Sequence, residues 1–584
     1  METSIKKTIT QLIKNIPNDW VTLTTHRLDI YNEAKAKTEF LSSFENLKDY
    51  NKENLESLPT AYDYIRLGHP LSCILEWAIA KSMDLKPESI IAFSSQTMPI
   101  LSVLRKNKFL KKKTQILYTN ELPINFNPEV LKEVYDYDFE LLKIDTINES
   151  ISFNGSTLVI NGNHHSKADF NLKLFPHGSV IAVLDNNEEY INEIQHVRRR
   201  ESIAMTPRDS LKAINELIGE HHEDTKEVNQ DKLIEIIQEI TSSYSQVAIG
   251  SSGLSVQYAI MMGLVHYAQD HHPGKKINFI VPPNCYGGTN NQARRVAQCL
   301  SHVEIIDLPV DSGKDMVTEL ERILNEVAKA DAVPYIIAEI PTNPRVEVPN
   351  IEALRVTLKK KRNNATEPVF ILDQTFCPNV KFFGKDGYLP DVKVISYVSG
   401  SKFPSGGLCT AGYAASNELA QSYMSYVINH LSLTSNTATH HQIKTLIDQM
   451  PSMNNRISKA HKNTRAFVNH IEKKFPSAKI NFVSQELADA SFTPSVFSLD
   501  LHDQKRNHIL INMMINEIPE QAKHCVSYGQ LKGSYWTIPA TSTQGTTKES
   551  DKDYIVRVSI APEFNLAKHI EVFDKFVDSL NITS

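Results

Sequence analysis

The sequence predicts an α/β protein with a mostly parallel sheet in its central part. Two observations predict it. Between residues 246 and 415, short apolar runs alternate with helix-period segments, and polar residues follow several runs where a strand would end. A buried strand followed by a crossover helix is typical of a parallel sheet covered on both faces. Ligands bind such sheets beyond the carboxyl ends of the strands, so we expect the functional site there.

Six apolar runs are the predicted strands of the central sheet. They are QVAIGSS, KINFIVPP, HVEIIDLP, PYIIAEI, VFILDQTF and KVISYVSGS. At 584 residues the chain is too long for one ordinary core, so we predict several domains. The predicted divisions are an extra α/β domain at 1–195, linker helices at 196–245, a large domain at 246–415 and an α+β C-terminal domain at 416–584.

Composition and charge exclude several function classes. The net charge of −6 provides no basic field to attract a nucleic acid or an anionic membrane. No apolar stretch approaches the ~18 to 20 residues that cross a bilayer. Six scattered cysteines without C-x-x-C spacing argue against a disulfide framework, and adjacent histidine pairs lack metal-ligand spacing, so no metal is predicted. We therefore expect a cytoplasmic protein without nucleic-acid or membrane partners.

Lys402 and Asp373 are the residues that first suggest catalysis. Lys402 follows a strand-like run among small residues, which permit a close approach of backbone. Alone, such a lysine is more often solvated, and Asp373 at the end of VFILD is more often a turn former. Together they match what pyridoxal 5'-phosphate (PLP) requires: a nucleophilic lysine, and a carboxylate that keeps the pyridine nitrogen protonated.

Further motifs occur in a fixed order between about residues 246 and 565. They are SSGLSVQYAI, CYGGT, AEIPTNPRVEVPNI, LDQTFCP, SGSK, SYGQLKGSYWTIPATSTQG and VRVSIAPE. In sequence and order they resemble the motifs of the PLP enzymes of cysteine and methionine metabolism, the trans-sulfuration family that includes cystathionine γ-synthase and related lyases and sulfhydrylases. This resemblance implies a large domain of the PLP-dependent aspartate aminotransferase-like fold, called fold type I.

The resemblance also implies which residues bind the cofactor. Backbone N–H groups at the start of a helix after Ser251 would hold the phosphate, because free N–H groups and the helix dipole favour an anion. Asp373 would pair with the pyridine nitrogen, and Asn343 would lie beside the phenolic oxygen. The complete implied set is Ser252, Gly253, Leu254, Tyr286, Asn343, Asp373, Thr375, Ser399, Ser401 and Lys402.

Catalytic and substrate-binding roles follow from the same resemblance. Lys402 would bind the cofactor covalently and act as the base, while Tyr286 would stack on the pyridine ring and is a candidate proton shuttle. Ser527 and Arg557 would hold the substrate carboxylate, Arg557 through a bidentate pair. A lone arginine in a strand would more often form a surface salt bridge.

Three departures from the family pattern stand out. Gln374 replaces the usual asparagine after the aspartate, and the segment FPSGG after Lys402 contains no histidine. The family's N-terminal tyrosine and arginine motif, which contributes to the neighbouring subunit's phosphate site, is not cleanly present. One of Arg198, Arg199 and Arg200 is a candidate for the missing cation, and the sequence does not choose among them.

The resemblance implies γ-substitution on an activated homoserine by a thiol, in a homodimer or homotetramer that binds a small amino-acid substrate. Two alternatives remain open: a β- or γ-lyase or sulfhydrylase of the same family, and a catalytically silent homologue with a binding or regulatory role. The N-terminal 195 residues are similar in placement to an extension of the longer fungal proteins. We expect them to be structural or regulatory.

Overall fold

A computed structural model describes residues 3–22, 33–59, 61–62, 64–144, 153–161, 168–184, 186–220, 228–310, 315–363, 365–524, 531–539 and 554–582. The chain forms two compact units. The first comprises Met1–Val228, Gly250–Met262 and Asn429–His440. The second comprises Asn229–Ile249, Gly263–Ile428 and His441–Ser584. The first unit thus contains two short segments from the region that carries the cofactor motifs. The predicted domain boundaries stay a prediction.

The first unit is an α/β unit built around a six-stranded sheet. Its helices are α1 (Thr3–Ile13), α2 (Asp19–Thr22), α3 (Glu33–Glu45), α4 (Lys52–Glu56), α5 (Pro70–Met83), α6 (Met98–Leu110), α7 (Pro128–Glu133), α8 (Ile191–Arg200) and α9 (Pro207–Ile218). Its strands are β1 (Ile90–Phe93), β2 (Thr114–Tyr118), β3 (Phe139–Lys143), β4 (Ser156–Ile160), β5 (Phe170–Phe175) and β6 (Gly178–Val183).

The six strands lie in the order β1-β6-β5-β4-β2-β3. Strands β2 to β5 are parallel where they pair, while β6 runs antiparallel to both β5 and β1. Four of the strands, β1, β2, β4 and β6, coincide with the apolar runs IIAFSS, TQILYT, STLVING and SVIAVLD, and all four are buried along nearly their whole length. Strand β3 has exposed positions and weaker patterning, which explains why its sequence, FELLK, gives little signal.

The second unit contains the central sheet and a C-terminal sheet. Its helices are α10 (Gln230–Thr241), α11 (Gly253–His271), which begins in the first unit, α12 (Gly287–Cys299), α13 (Met316–Lys329), α14 (Ile351–Lys359), α15 (Gln421–Leu433), which ends in the first unit, α16 (His440–Gln449), α17 (Met453–Lys474), α18 (Gln485–Asp489), α19 (Gln504–Glu517) and α20 (Leu566–Ile582). The central strands are β7 (Ala248–Gly250), β8 (Ile277–Val281), β9 (Val303–Asp307), β10 (Val333–Glu339), β11 (Val369–Asp373), β12 (Val394–Ser399) and β13 (Gly412–Ser416).

The central sheet has the order β7-β13-β12-β11-β10-β8-β9. Strands β8 to β12 pair in parallel, and β13 pairs antiparallel with β12. All six predicted strands are present, which confirms the α/β class with a mostly parallel sheet. Strand β13 was not predicted, because its sequence GYAAS is short and rich in small residues with low strand propensity.

The C-terminal part is α+β, as the sequence predicts. Its strands are β14 (Lys479–Asn481), β15 (Val496–Asp500), β16 (Ala522–His524), β17 (Gly533–Pro539) and β18 (Tyr554–Ser559). They form a sheet in the order β14-β15-β18-β17-β16, antiparallel except for the β16–β17 pair. Apolar residues of this sheet pack with α17, α19 and α20 in one core.

Glu76 on α5 forms a buried ion cluster in the first unit. Its Oε1 accepts hydrogen bonds from the backbone N–H of Ala92 (2.7 Å) and from Nη1 of Arg198 (2.9 Å), and its Oε2 lies 2.6 Å from Nζ of Lys37. Glu76, Arg198 and Lys37 are each no more than 1% exposed. Because buried charges need partners, this one carboxylate compensates two buried cations and joins α3, α5, α8 and β1.

Among the described residues, no helix is both long and apolar enough to span a membrane. No disulfide joins the five cysteines that the structure describes. Cys525 lies outside the described residues.

Replacing Glu76 tests the importance of this cluster. Glu76→Gln should lower the free energy of unfolding by about 3–5 kcal/mol, because it leaves two buried cations without a carboxylate. Glu56→Gln is the control, since its ion pair with Lys52 joins side chains that are more than half exposed, and it should cost less than about 0.5 kcal/mol. Urea unfolding followed by circular dichroism measures both. Equal midpoints for the two variants would contradict the assignment.

Candidate functional site

Three polar side chains lie side by side at the carboxyl ends of neighbouring strands. In the register of the parallel sheet, Glu339 of β10 pairs with Asp373 of β11, and Asp373 pairs with Tyr397 of β12. Side chains at paired positions of parallel strands point to the same face of the sheet. The register therefore places two carboxyl groups and a phenol in one row, at the end of the sheet where α/β proteins bind ligands.

Asp373 ends β11 and is held by hydrogen bonds from two residues. Its Oδ1 accepts from the backbone N–H of Thr375 (2.9 Å), as in an Asx-turn, and its carboxylate also bonds the hydroxyls of Thr375 and Tyr397. Burial raises the pKa of Asp373 above its ordinary value, although these hydrogen bonds oppose the rise. A carboxylate has about four lone-pair positions, so these three donors leave room for another.

Glu339 is a site residue that the sequence analysis did not select. It is 6% exposed, and its carboxylate accepts hydrogen bonds from the backbone N–H groups of Tyr286 (2.7 Å) and Asn343 (3.1 Å). Burial, and after it the charge of Asp373, raises the pKa of Glu339 to about 8. The signal was present, because Glu339 lies in the motif AEIPTNP at the end of a predicted strand, four residues before Asn343.

Tyr286 begins helix α12 and is half-buried. Its backbone N–H donates to the Glu339 carboxylate, and this hydrogen bond orients both the tyrosine and the start of the helix. The neighbouring Cys285 is almost completely buried. Burial, with the charges of Glu339 and Asp373, raises the pKa of the Cys285 thiol well above its ordinary value. This thiol therefore stays protonated at neutral pH, which excludes it as a ready nucleophile.

Arg557 reaches this group from the C-terminal sheet. It lies on β18, where it pairs with Ser498 of β15 and Trp536 of β17, and it is 8% exposed. Its Nη1 donates to Oδ1 of Asn343 at 3.3 Å. The positive charge of Arg557 also lowers the pKa of Glu339, against the effects of burial and Asp373. The structure thus brings together two predicted residues that are 214 positions apart.

Lys402 lies in the turn after β12 and is half-buried. The backbone N–H of Ser399, at the end of the strand, donates to the Thr375 hydroxyl (3.0 Å), so the start of this turn is tied to the residue that bonds Asp373. The Ser401 hydroxyl accepts from the backbone of Ala411 (3.4 Å). Gly400 is required sterically, because a Cβ there would approach the Ala411 side chain to 2.9 Å.

Ser252, Gly253 and Leu254 lie at the start of α11, within the first unit. The hydroxyl of Ser252 accepts from the backbone N–H of Ser255 (3.1 Å), and the Ser255 hydroxyl accepts from the backbone N–H of Ser252 (2.9 Å). This reciprocal pair satisfies two helix-terminal donors, as a capping box does.

Arg198 and Ser527 are predicted residues that the site contacts above do not include. Arg198, a candidate for the missing phosphate cation, is instead a partner of Glu76 in the buried cluster. Ser527 lies outside the described residues. Hydrogen bonds in the second unit form two sets. One joins Tyr286, Asn343 and Arg557, with Glu339 as the added member, and the other joins Asp373, Thr375 and Ser399.

No model of a known protein family matches the chain, and no curated protein matches it. Solved structures similar to it include a cystathionine gamma synthase from Xanthomonas oryzae pv. oryzae (14% identity, 61% of this chain and 86% of that chain, TM-score 0.47). Two others are the cystathionine gamma-lyase from yeast (15% identity, 60% and 86%, TM-score 0.49) and a methionine gamma lyase from Micromonospora echinospora (13% identity, 59% and 86%, TM-score 0.45).

The raised pKa of Glu339 predicts a pH dependence of stability. The folded cofactor-free protein retains a proton that the unfolded chain releases, so Glu339 makes the free energy of unfolding fall as pH rises from 4.5 to about 8. Glu339→Gln cannot ionise and should decline less over this range. Urea unfolding at pH 5 and pH 8 measures the difference. The exposed Glu304→Gln should keep the wild-type decline, and an identical decline in Glu339→Gln would contradict the assignment.

Proposed function

We propose that this protein is an enzyme that uses PLP to act on the side chain of an amino acid. The reaction that the motif resemblance favours is γ-substitution on an activated homoserine by a thiol. The structural observation that supports the proposal is the pair formed by the buried Glu339 and its neighbour Asp373 at the carboxyl ends of β10 and β11. The motifs around this pair contain the other residues that PLP chemistry needs.

The residues fit the pyridine ring of the cofactor. Two carboxyl groups side by side disfavour ionisation of both, and a protonated ring nitrogen next to them would offset that repulsion. Asp373 also has an acceptor position left for a ring N–H, given the three donors it already binds. When bound, the cofactor supplies an electron sink for the negative charge that develops at the substrate α-carbon.

Each remaining contact with the cofactor is part of the proposal. Lys402 would bind it covalently, Tyr286 would stack on its ring, and Asn343 would bond its phenolic oxygen. The phosphate would be bound by Ser252, Gly253 and Leu254, with Ser399 and Ser401, while Thr375 would contribute to the cofactor site beside Asp373. The Ser401 hydroxyl accepts from Ala411, which leaves its own hydrogen for an anion.

Arg557 and Ser527 are the proposed substrate-binding residues. Arg557 is buried, and a planar guanidinium binds a carboxylate through two parallel hydrogen bonds. Its bond to Asn343 restricts the rotation of the guanidinium and so orients it toward the carboxyl ends of the strands. This arrangement would hold the substrate by its α-carboxylate and direct the side chain toward the reacting groups.

Lys402 is also the proposed base. Once the substrate amine has displaced it, the neutral Lys402 Nζ would take the α-proton and later return it. The Tyr286 hydroxyl is the candidate to carry a second proton. In substitution, the γ-carbon–oxygen bond breaks and the oxygen leaves with its acyl or phosphoryl group. The thiol sulfur bonds to the γ-carbon, and the proton that it loses neutralises the charge of the leaving acid.

Lys402→Ala tests the central assignment. It should abolish covalent attachment of PLP, which borohydride reduction followed by peptide mass spectrometry detects at residue 402 in the wild type. Loss of the base should also lower kcat by at least about 100-fold. The protein should stay folded, because Lys402 is only half-buried.

Lys385→Ala, at an exposed lysine, is the control and should behave as the wild type. Wild-type PLP attached at another residue, or an active Lys402→Ala protein, would contradict the proposal. A wild-type protein that holds no PLP would favour the catalytically silent alternative.

The products distinguish substitution from elimination. With an activated homoserine and cysteine, we expect a thioether in which the cysteine sulfur is joined to the γ-carbon. Without a thiol, water releases ammonia and an oxo acid more slowly. Mass spectrometry of the products measures both. Equal rates of oxo-acid release with and without cysteine would instead assign the protein as a β- or γ-lyase.

The proposal also includes an oligomeric assembly and a role for the N-terminal region. The family resemblance supports a homodimer or homotetramer with a small amino-acid substrate, and a structural or regulatory role for residues 1–195.

A further inference from the structure

A short segment of the first unit, residues 434–437, contacts the N-terminal extension. This segment follows α15. The Thr434 carbonyl accepts a hydrogen bond from the Ser95 hydroxyl (2.6 Å), and the Ser435 hydroxyl lies 3.0 Å from the Thr97 hydroxyl. Ser95 and Thr97 immediately precede α6, and both are fully buried. Polar contacts buried in this way fix the position of the segment against the extension.

Asn436 connects the linker that follows the extension to the start of the phosphate motif. Its Oδ1 accepts from the Ser202 hydroxyl (2.7 Å), and its Nδ2 donates to the Glu201 carbonyl (3.0 Å). Its own carbonyl accepts from the backbone N–H of Ser251 (2.8 Å). Thr437 continues this contact as a β-bridge to Gly250. One buried asparagine therefore bonds both the linker that follows the extension and the residue before Ser252.

Glu201 of the linker is held against the extension by a buried ion pair. The Glu201 carboxylate forms a two-point ion pair with Arg105 of α6, and Arg105 Nη2 also donates to the hydroxyl of Tyr258 (3.1 Å). Arg105, Glu201 and Tyr258 are each no more than 1% exposed. Tyr258 lies on α11, just after the residues proposed to bind phosphate. Tyr258 of the helix and the carboxylate of Glu201 thus bond the same guanidinium.

We propose that Asn436 is a positioning residue, through which the N-terminal extension orients the N–H groups at the start of α11 for the cofactor phosphate. This inference rests on the proposed function. Anion binding at a helix start depends on the direction of a few N–H groups, and a site that is already ordered loses less entropy on binding. The extension is then part of the cofactor site's support rather than a detachable addition.

Comparison of two ligands tests the inference in the full-length chain. PLP carries the phosphate, whereas pyridoxal has the same ring and aldehyde without it. Asn436→Ala should weaken PLP binding by roughly 10-fold, the size expected when one or two net hydrogen bonds are lost. Binding of pyridoxal should change less than about 2-fold, because pyridoxal presents no anion to the loop. Equilibrium dialysis measures both dissociation constants.

Two further variants sharpen the test. Ser202→Ala removes the linker's donor to Asn436 and should weaken PLP selectively, with an effect that is not additive to Asn436→Ala. Asn107→Ala is the matched control: Asn107 is an equally buried asparagine of the first unit, and its bonds run to Thr114 and Tyr190. It should reduce thermal stability without changing the ratio of the two dissociation constants.

Equal weakening of PLP and pyridoxal by Asn436→Ala would overturn the inference and leave the proposed function intact. An unchanged PLP affinity in both Asn436→Ala and Ser202→Ala would overturn it as well. A wild-type protein that binds neither ligand would overturn the proposed function, and this inference with it.

Discussion

The candidate site depends on the register of three parallel strands. Because β10, β11 and β12 are aligned residue by residue, Glu339, Asp373 and Tyr397 meet at one end of the sheet. A shift of one residue in any of these strands would turn its polar side chain to the opposite face. The apolar residues that precede each of them are buried on both faces of the sheet, and their burial fixes this register.

Buried carboxylates serve two different purposes in this chain. Glu76 and Glu201 each bind a guanidinium directly, and they connect elements of the first unit. Glu339 instead has a second carboxyl group as its neighbour, and its hydrogen bonds come from backbone N–H groups. The first arrangement compensates charge within the fold. The second holds two neighbouring carboxyl groups whose pKa values are raised, at the end of a sheet, and raised pKa values of this kind are a property expected of a functional site.

The extension has a more direct structural role than its position in the sequence indicates. Its buried polar residues bond the 434–437 segment and Tyr258, both of which belong to the part of the chain that carries the cofactor motifs. These contacts join regions separated by more than 150 positions. They explain why the first unit includes the start of α11, and they provide a physical route by which the extension could influence an anion at that helix.

The sequence by itself determined the alternation of strands and helices, because buried strands and amphipathic helices have distinct local periods. It also located Asp373 at the end of a strand and Lys402 in the turn after another, since both positions follow from local runs of residues. Strand β13 and the weakly patterned β3 could not be predicted for the same reason, because a strand is recognised in a sequence only by its local pattern of residues.

Only the tertiary structure placed Glu339 beside Asp373, Arg557 against Asn343, and Asn436 against both Ser251 and Ser202. Each of these contacts joins residues that are distant in sequence, and each depends on strand register or on the packing of whole elements. Residue type and local period carry no information about either. The chemistry of the side chains was therefore visible in the sequence, whereas their neighbours were decided by the fold.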